Sequence, residues 1–299
     1  MMLTNFKQIV DEAKKYSGKK IAIAGAESKA VLQAVDHARK LGVMEPILFG
    51  NKEKIQAYSE EINISLENTQ IVHQTDDSEI AYSAVKSVHE NEAHGLMKGK
   101  VSTPTLLKAV LNKKFNLRTE NLLSHIALLE IPSYPKLLMT TDGGMVIRPT
   151  FEQKVSILKN GIEMMRKIGV KKPKVAVLAA IEKVNPDMPE TEDAAKLQDM
   201  AKKGAFGDAI VEGPLATDIA FSKEAAKIKG VESLVSGDPD ICLVPEIATG
   251  NIFAKGLWHL ANAKIAGLIL GARKPIILLS RSDDAETKLN SIALGVLTA

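Results

Sequence analysis

Cysteine is almost absent from this sequence, since Cys242 is the only one among 299 residues. A single cysteine excludes an internal disulfide framework and suits the reducing environment of the cytosol. We interpret Cys242 as a core residue, because a free cysteine behaves as a small apolar side chain. Residues 1–7 contain neither a long apolar run nor a small-residue cleavage site, so secretion is not expected. These absences predict a cytoplasmic protein.

Long apolar runs and a strong charge excess are missing as well. No run approaches the roughly 20 residues that span a bilayer, so no membrane partner is expected. The net charge is only +3, aromatic residues make up 4%, and no basic cluster alternates with aromatic side chains. Such a composition does not predict a nucleic-acid partner. Histidine, cysteine and carboxylate residues show no metal-ligand spacing, so no bound metal is expected.

What remains is the composition of an ordinary globular protein, 45% hydrophobic and 25% charged. A length of 299 residues suggests two domains, because single cores seldom grow beyond roughly 250–300 residues. Short β-prone runs alternate with amphipathic stretches, which predicts parallel sheets covered by helices on both faces. The predicted strands are 21–26, 46–50, 69–74 and 95–98, then 122–131 and 136–140 without a full helix between them, and finally 174–180, 209–212, 240–244 and 276–279.

The last of these strands ends in a polar segment that contains Ser280, Arg281 and Asp283. An amphipathic helix follows, and Asp283 and Glu286 have the spacing of a capping box. Open α/β sheets bind ligands beyond the carboxyl ends of their strands, where Arg281 could bind an anion. The alternative is a solvated turn with a capping aspartate and a surface arginine.

A second polar segment follows the strand 95–98. Ser102 or Thr103 can cap the next helix, and Pro104 fits its first turn. The N-terminus of such a helix favours a phosphate, and Lys98 and Lys100 would add to the attraction. The alternative is an ordinary helix cap beside two surface lysines.

Three further positions carry polar groups near predicted strand ends. Ser124 and His125 are adjacent on a strand and point to opposite faces, so we do not expect them to form a catalytic pair. Asp142 either orients a loop or contacts a ligand. Gly250 and Asn251 lie near a predicted strand-to-helix turn, where an anion cradle and a plain helix cap are both possible.

Taken together and in this order, these stretches resemble the phosphate acetyl/butyryltransferase family. The length and the forms Gly-Lys-Val-Ser-Thr and Leu-Leu-Ser-His are closer to the butyryl branch than to the acetyl branch. The resemblance covers most of the chain and is carried by Lys98-Gly99-Lys100-Val101-Ser102-Thr103, Asn121-Leu122-Leu123-Ser124-His125, Thr141-Asp142, Val244-Pro245-Glu246 with Gly250-Asn251, and Lys274-Pro275 leading to Ser280-Arg281.

The resemblance implies two α/β domains with an interdomain cleft, as in the isocitrate/isopropylmalate dehydrogenases. In this pattern the first domain is discontinuous, comprising residues 1–145 and 272–299. Residues 146–271 would form the second domain, through which the protein would form a homodimer.

The resemblance also implies reversible transfer of a butyryl-like acyl group between coenzyme A and inorganic phosphate. The thiol would attack the acyl phosphate directly in a ternary complex, with no metal or redox cofactor. Ser280 and Arg281 would act on the transition state, and Asp283 would be the base, with Asp284 and Glu286 left open for that role. Substrate binding would fall to Lys100, Ser102, Thr103, Ser124, Asp142, Gly250 and Asn251.

Three alternatives stay open at this point. The acyl group could be acetyl. A dehydrogenase of the same fold would need NAD and a cluster of metal-binding aspartates, which we do not find in the sequence. A module that senses acyl-CoA without turnover would keep the fold but would not need the Ser280-Arg281 pair.

Overall fold

The computed structural model describes residues 1–16, 18–278 and 283–299 and divides the chain into two compact units. The outer unit comprises residues 6–121 and 266–299, and the inserted unit comprises residues 1–5 and 122–265. The sequence predicts changeovers after residues 145 and 271, whereas the structure changes over after residues 121 and 265. The segment 122–145 belongs to the inserted unit, where its two strands pair with each other and the second also pairs with residues 241–243.

The first part of the outer unit alternates helices and strands. Short 3₁₀ turns lie at Lys14–Tyr16 and Lys113–Phe115. The elements are α1 (Phe6–Ala13), β1 (Lys20–Ala24), α2 (Lys29–Lys40), β2 (Glu45–Gly50), α3 (Lys52–Glu61), β3 (Gln70–His73), α4 (Asp77–His89), β4 (Gly95–Lys98) and α5 (Thr103–Val110).

These four strands form the parallel arrangement that the alternation predicts. Strand β1 pairs with β2 and β4, and β2 pairs with β3, all in parallel register. In β1, Ile21 and Ile23 have no exposed surface, and burying such a side chain contributes about 1.5–3 kcal/mol. Side-chain caps mark several helix starts; Asp76, for example, accepts from two backbone N–H groups at the start of α4.

Within the inserted unit the strand order is β5-β6-β9-β7-β8. Strands β5 and β6 form an antiparallel hairpin, and the remaining pairs are parallel. Cys242 has no exposed surface, which confirms its prediction as a core residue. The elements are β5 (Ser124–Glu130), β6 (Leu138–Thr141), α6 (Phe151–Lys167), β7 (Lys174–Leu178), α7 (Pro189–Lys202), β8 (Ile210–Leu215), α8 (Thr217–Phe221), α9 (Lys223–Ile228), β9 (Ile241–Leu243) and α10 (Ile247–Leu260).

The C-terminal segment completes the outer unit with β10 (Lys264–Leu270), β11 (Ile276–Ile277) and α11 (Ala285–Thr298). Strand β11 lies parallel to β4 and antiparallel to β10, so the carboxyl ends of β1, β4 and β11 point to one edge of the sheet. The run 276–279 is thus a strand over its first two residues, while residue 279 lies outside the described residues. The sequence pattern does not predict β10.

No helix within the described part of the chain is long and apolar enough to cross a membrane.

Candidate functional site

A cavity of about 510 Å³ lies in the outer unit, where the segments that follow β1 and β4 meet. Open α/β sheets place their ligands at this edge. The residues that line it are Glu27, Ser28, Lys29, Ala30, Val31, Tyr58, Lys98, Gly99, Lys100 and Lys288.

Direct backbone contact between two chain segments builds the cavity wall. The backbone N–H of Gly99 donates to the Ala24 carbonyl at 2.8 Å, and that of Lys100 donates to the Gly25 carbonyl at 2.7 Å. A Cβ atom on Gly99 would lie 2.1 Å from the Gly25 carbonyl oxygen, so only glycine fits there. This contact brings Lys98 and Lys100 to the start of α2.

The N-terminus of α2 opens into the cavity. Ser28 occupies the N-cap position, but its side chain makes no capping hydrogen bond. Ala30 and Val31 in the first turn line the cavity. Backbone N–H groups of a first turn have no partner inside the helix, and together with the helix dipole they attract anions.

Lysine side chains give the cavity its positive charge. Lys98 and Lys288 are only 9% and 5% exposed, which is unusual for lysine. Lys98 Nζ donates to the Gly99 carbonyl at 3.1 Å, and Lys288 Nζ donates to the Asp283 carbonyl. Lys29 and Lys100 are more exposed. Lys29 pairs with Glu61, and Lys100 lies 4.0 Å from Glu27 Oε1. With four lysines and one glutamate in its lining, the cavity is suited to an anion such as phosphate.

The predicted substrate-binding residues Ser102 and Thr103 lie at the start of α5, outside the lining of the cavity. Ser102 caps α5 by accepting a hydrogen bond from the Thr105 backbone N–H at 3.2 Å, and Pro104 lies in the first turn, which confirms that part of the prediction. Neither Ser102 nor Thr103 lines the cavity. Of the predicted residues near this edge, the structure brings Lys100 to the cavity.

The predicted catalytic segment is only partly described. Ser280 and Arg281 lie outside the described residues. The N-cap of α11 is Asp284, whose Oδ1 accepts from the Thr287 backbone N–H at 2.7 Å, so the prediction of Asp283 as the cap is wrong. Neighbouring aspartates cap equally well, and the pattern alone does not separate them.

In the inserted unit, Asp142 holds the loop that follows β6. Its carboxylate is 2% exposed and accepts four backbone hydrogen bonds. Gly144 and Met145 donate to Oδ1 at 2.8 Å each, while His125 and Val146 donate to Oδ2 at 3.1 and 3.3 Å. Of the two interpretations of Asp142, the structure supports the orientation of a loop.

Ser124 and His125 point to opposite faces of β5, as predicted. Ser124 is fully buried, and its Oγ accepts a hydrogen bond from Asn160 Nδ2 at 2.9 Å, so it packs under α6 instead of facing a substrate. The His125 ring packs against Gly144, where a Cβ atom would lie 2.8 Å from Cγ. Burial lowers the pKa of His125 despite the opposing effect of Asp142.

Gly250 and Asn251 lie inside α10 rather than at its start. The helix begins at Ile247, and the Gly250 backbone N–H already donates to the Glu246 carbonyl at 3.2 Å, so it is not available to an anion. Gly250 instead permits close packing, since its Cβ atom would lie 2.8 Å from Gly143 Cα. Asn251 Nδ2 donates to the Gly143 carbonyl at 3.3 Å. The predicted anion cradle at these two residues is therefore corrected to a packing contact with the Asp142 loop.

Five polar residues that line the cavity were not predicted from the sequence as ligand-facing groups, namely Glu27, Ser28, Lys29, Tyr58 and Lys288. Three of them follow the first predicted strand, and the rule that ligands bind at strand ends could have identified them. Lys288 carries no local signal, because it joins the others only through the fold. Within the described residues, no group of three or more His, Cys, Asp and Glu side chains has an arrangement that could hold a metal.

Comparison with protein families and known proteins gives a consistent result. The family model described as "Phosphate acetyl/butaryl transferase" matches residues 5–82 and 73–296. The phosphate butyryltransferase of Clostridium acetobutylicum is 40% identical over 298 residues, which cover 100% of this chain and 99% of that protein. The phosphate acetyltransferase of Thermotoga maritima is 43% identical over 282 residues, which cover 94% and 96% of the two chains.

Comparison with solved structures gives a result consistent with these relatives. The branched-chain phosphotransacylase from Enterococcus faecalis V583 is 34% identical, with a TM-score of 0.84 over 94% of this chain and 98% of that one. At the level of the fold alone, a 4-hydroxythreonine-4-phosphate dehydrogenase from Burkholderia phymatum also matches, with a TM-score of 0.58 and 13% identity over 94% of this chain and 98% of that one. The α/β fold class and its likeness to dehydrogenases are thereby confirmed.

Proposed function

The chain belongs to the phosphate acetyl/butaryl transferase family, and from that premise we propose that it transfers a short-chain acyl group between coenzyme A and inorganic phosphate. The observation that supports this function best is the cavity of the outer unit, where buried lysines and the start of α2 face the same space. Inorganic phosphate and the phosphate of an acyl phosphate are the anions that this site would bind.

The chemistry sets clear demands on the protein. A thiol with a pKa of roughly 8.5 is mostly protonated at neutral pH, so a base or a positive field must raise the thiolate fraction. In the proposed ternary complex the thiolate attacks the acyl carbonyl directly, and the phosphate leaves. Negative charge then develops on the carbonyl oxygen and on phosphate, which favours cationic groups and preorganised donors. Lys98, Lys100 and Lys288 would stabilise this charge on the phosphate.

We assign the transition-state role to Ser280 and Arg281 on the strength of the family resemblance. Among the carboxylates that follow them, Asp284 is occupied as a helix cap, and Glu286 is exposed in the first turn of α11. Asp283 stays the proposed base. The reaction changes no oxidation state and phosphate is a good leaving group, so we propose that no metal or redox cofactor takes part.

A butyryl-like group of three to five carbons is the proposed acyl substrate. The relatives include a phosphate butyryltransferase and a phosphate acetyltransferase at similar identity, so the preference rests on the Gly-Lys-Val-Ser-Thr and Leu-Leu-Ser-His sequences. Each methylene buried in an apolar pocket contributes about 0.8 kcal/mol, so we expect a graded preference. A higher specificity constant for acetyl-CoA than for butyryl-CoA would favour the acetyl alternative.

Thiol release from butyryl-CoA in the presence of phosphate tests the proposed function directly. We expect turnover that requires phosphate and does not require added metal or NAD. The dehydrogenase alternative predicts reduction of NAD instead, and the sensing module predicts acyl-CoA binding without thiol release. Arg166→Ala is a suitable control for variants of the catalytic segment, because Arg166 lies on the surface of the inserted unit and pairs with Asp208 at 2.7 Å.

A homodimer in the cytoplasm completes the proposal. The inserted unit exposes large apolar side chains, among them Ile228 at 79% and Leu234 at 69%, and a second copy would cover such side chains. The single buried Cys242 suits a reducing compartment. Light scattering at micromolar concentration should give twice the mass of one chain, and a monomer would contradict the dimer.

A further inference from the structure

Helix α10 of the inserted unit is apolar on the side that faces away from the core of that unit. Eight of its 14 residues are apolar, but only two of the 14 are buried. Phe253 and Leu257 pack against the core and thereby define the inward side of the helix. On the outward side, Ile252 is 72% exposed and Leu260 is 87% exposed. An apolar surface of this kind marks an interaction site when it is contiguous.

Four residues on the outward side follow one another at intervals of four and form a single ridge along the helix. They are Ala248, Ile252, Gly256 and Leu260, in the order small, large, small, large. A Cβ atom on Gly256 would have no other atom of the described residues within 4 Å, so the ridge has an open notch at this position. We call these four residues the α10 ridge. It contains no charged or hydrogen-bonding side chain.

The order of sizes makes the α10 ridge complementary to itself. When a second copy of the ridge runs antiparallel to the first, position 252 faces position 256 and position 248 faces position 260, because both pairs are centred on Ala254. A large side chain then meets a small residue at all four contacts. Two helices whose i±4n rows interdigitate cross at about 50°, which is the commonest class of helix packing. The ridge therefore has the side-chain sizes that such a crossing requires.

This symmetry identifies a second copy of the chain as the partner. An unrelated protein could cover an apolar ridge with any order of sizes, whereas a second copy requires large and small residues to be paired about one centre. Two copies of the α10 ridge also bring no like charges together, because the ridge contains no charged side chain. In a twofold interface residue i contacts residue j and residue j contacts residue i, and the α10 ridge satisfies this condition.

We propose that two copies of the protein form a twofold dimer in which their α10 ridges cross, with Ile252 of each copy packed on Gly256 of the other. This inference rests on the homodimer of the proposed function, because it names the surface through which that dimer forms. It does not depend on the chemistry of acyl transfer.

Two single changes test the contact from its two sides. Ile252→Asp places a charge at the centre of the interface, and Gly256→Ile fills the notch. Each should raise the dimer dissociation constant, measured by analytical ultracentrifugation, by at least about tenfold. Position 252 is exposed and position 256 is open, so both variants should keep the wild-type circular dichroism spectrum. Val184→Asp is the matched control, because Val184 is 54% exposed on the same unit but lies outside α10.

Exchange of the two central residues tests the predicted pairing itself. The double variant Ile252→Gly with Gly256→Ile keeps the composition of α10, and a large residue again faces a small one across the twofold axis. It should restore the wild-type dissociation constant, although Ile252→Gly and Gly256→Ile each weaken the dimer when made alone. A double variant as weak as its weaker single variant would overturn the proposed pairing.

The other outcomes separate this inference from the proposed function. A wild-type protein that is monomeric at micromolar concentration would contradict both the homodimer and the interface. A dimer that persists unchanged in Ile252→Asp and Gly256→Ile would keep the homodimer but overturn the interface. A dimer that is weakened by the single changes and restored by the exchange, but releases no thiol from butyryl-CoA, would support the interface while contradicting the proposed acyl transfer.

Discussion

The role of Asp142 can be tested by replacing it with asparagine. The change keeps the volume of the side chain but replaces one carboxylate oxygen by an amide group. If the asparagine oxygen keeps the two 2.8 Å bonds from Gly144 and Met145, the amide then faces the N–H groups of His125 and Val146, which lose their acceptor.

The magnitude follows from these four bonds. Two lost hydrogen bonds to a charged acceptor account for about 3 kcal/mol, and two buried donors without an acceptor add at least about 1 kcal/mol. We therefore expect Asp142→Asn to lower the free energy of unfolding by about 4 kcal/mol. For a unit of this size, that loss lowers the melting temperature by roughly 10 °C.

Thermal unfolding followed by circular dichroism measures this effect. Asp187→Asn is the control, because Asp187 is exposed on the same unit and its replacement should change stability by less than about 0.5 kcal/mol. An Asp142→Asn protein with wild-type stability and a large loss of activity would refute the loop role and assign Asp142 to a ligand.

The other predictions concern three positions. Arg281→Ala should lower turnover by about 10²–10³, with partial rescue by Arg281→Lys, and wild-type thiol release would remove Arg281 from the mechanism. Lys288→Met should raise the KM for phosphate by at least about tenfold, because the cavity loses a cation. Stability should be unchanged or higher, because an apolar side chain replaces a buried charge. Unchanged phosphate kinetics would refute the role of Lys288 in the cavity. The pKa of His125 is lower in the folded protein than in the unfolded chain. The neutral imidazole is therefore favoured by folding, and this contribution to stability is complete above a pH of about 6.5 and is lost as the pH falls below that value. His125→Gln should therefore reduce the fall in melting temperature between pH 7.5 and 5.5. His37→Gln, on the exposed face of α2, is the control and should leave that fall unchanged. An equal fall in the wild-type and His125→Gln proteins would contradict this account.

The strands were the part of the fold that the sequence predicted best. Short apolar runs such as residues 21–26 and 95–98 stand between amphipathic stretches, and a buried parallel strand needs little more than such a run. Strand β10 was not predicted, because its sequence Lys-Ile-Ala-Gly-Leu-Ile-Leu contains Ala266 and Gly267, which have low β propensity. Its partner β11 is only two residues long, so the local sequence shows no hairpin pattern.

The site was predicted less completely, for two physical reasons. A contact between residues that are far apart in the chain leaves no local pattern in the sequence. The sequence therefore did not associate Lys288 with Lys98 and Lys100. Chemically equivalent neighbours also cannot be separated by pattern, as Asp283 and Asp284 show at the start of α11. By contrast, the opposite orientations of Ser124 and His125 follow from strand geometry alone, and this prediction is confirmed.

The discontinuity of the outer unit has a consequence for biosynthesis. Chains are made from the N-terminus, and domains generally fold as units during synthesis. The inserted unit is complete once residue 265 has left the ribosome, but the outer unit still lacks β10, β11 and α11 at that time. Until these elements are made, β4 lacks its partner β11, and the cavity lacks Lys288. The two units therefore mature in the reverse of the order in which most of their residues are made, and the cavity is complete only when the last helix has been synthesised.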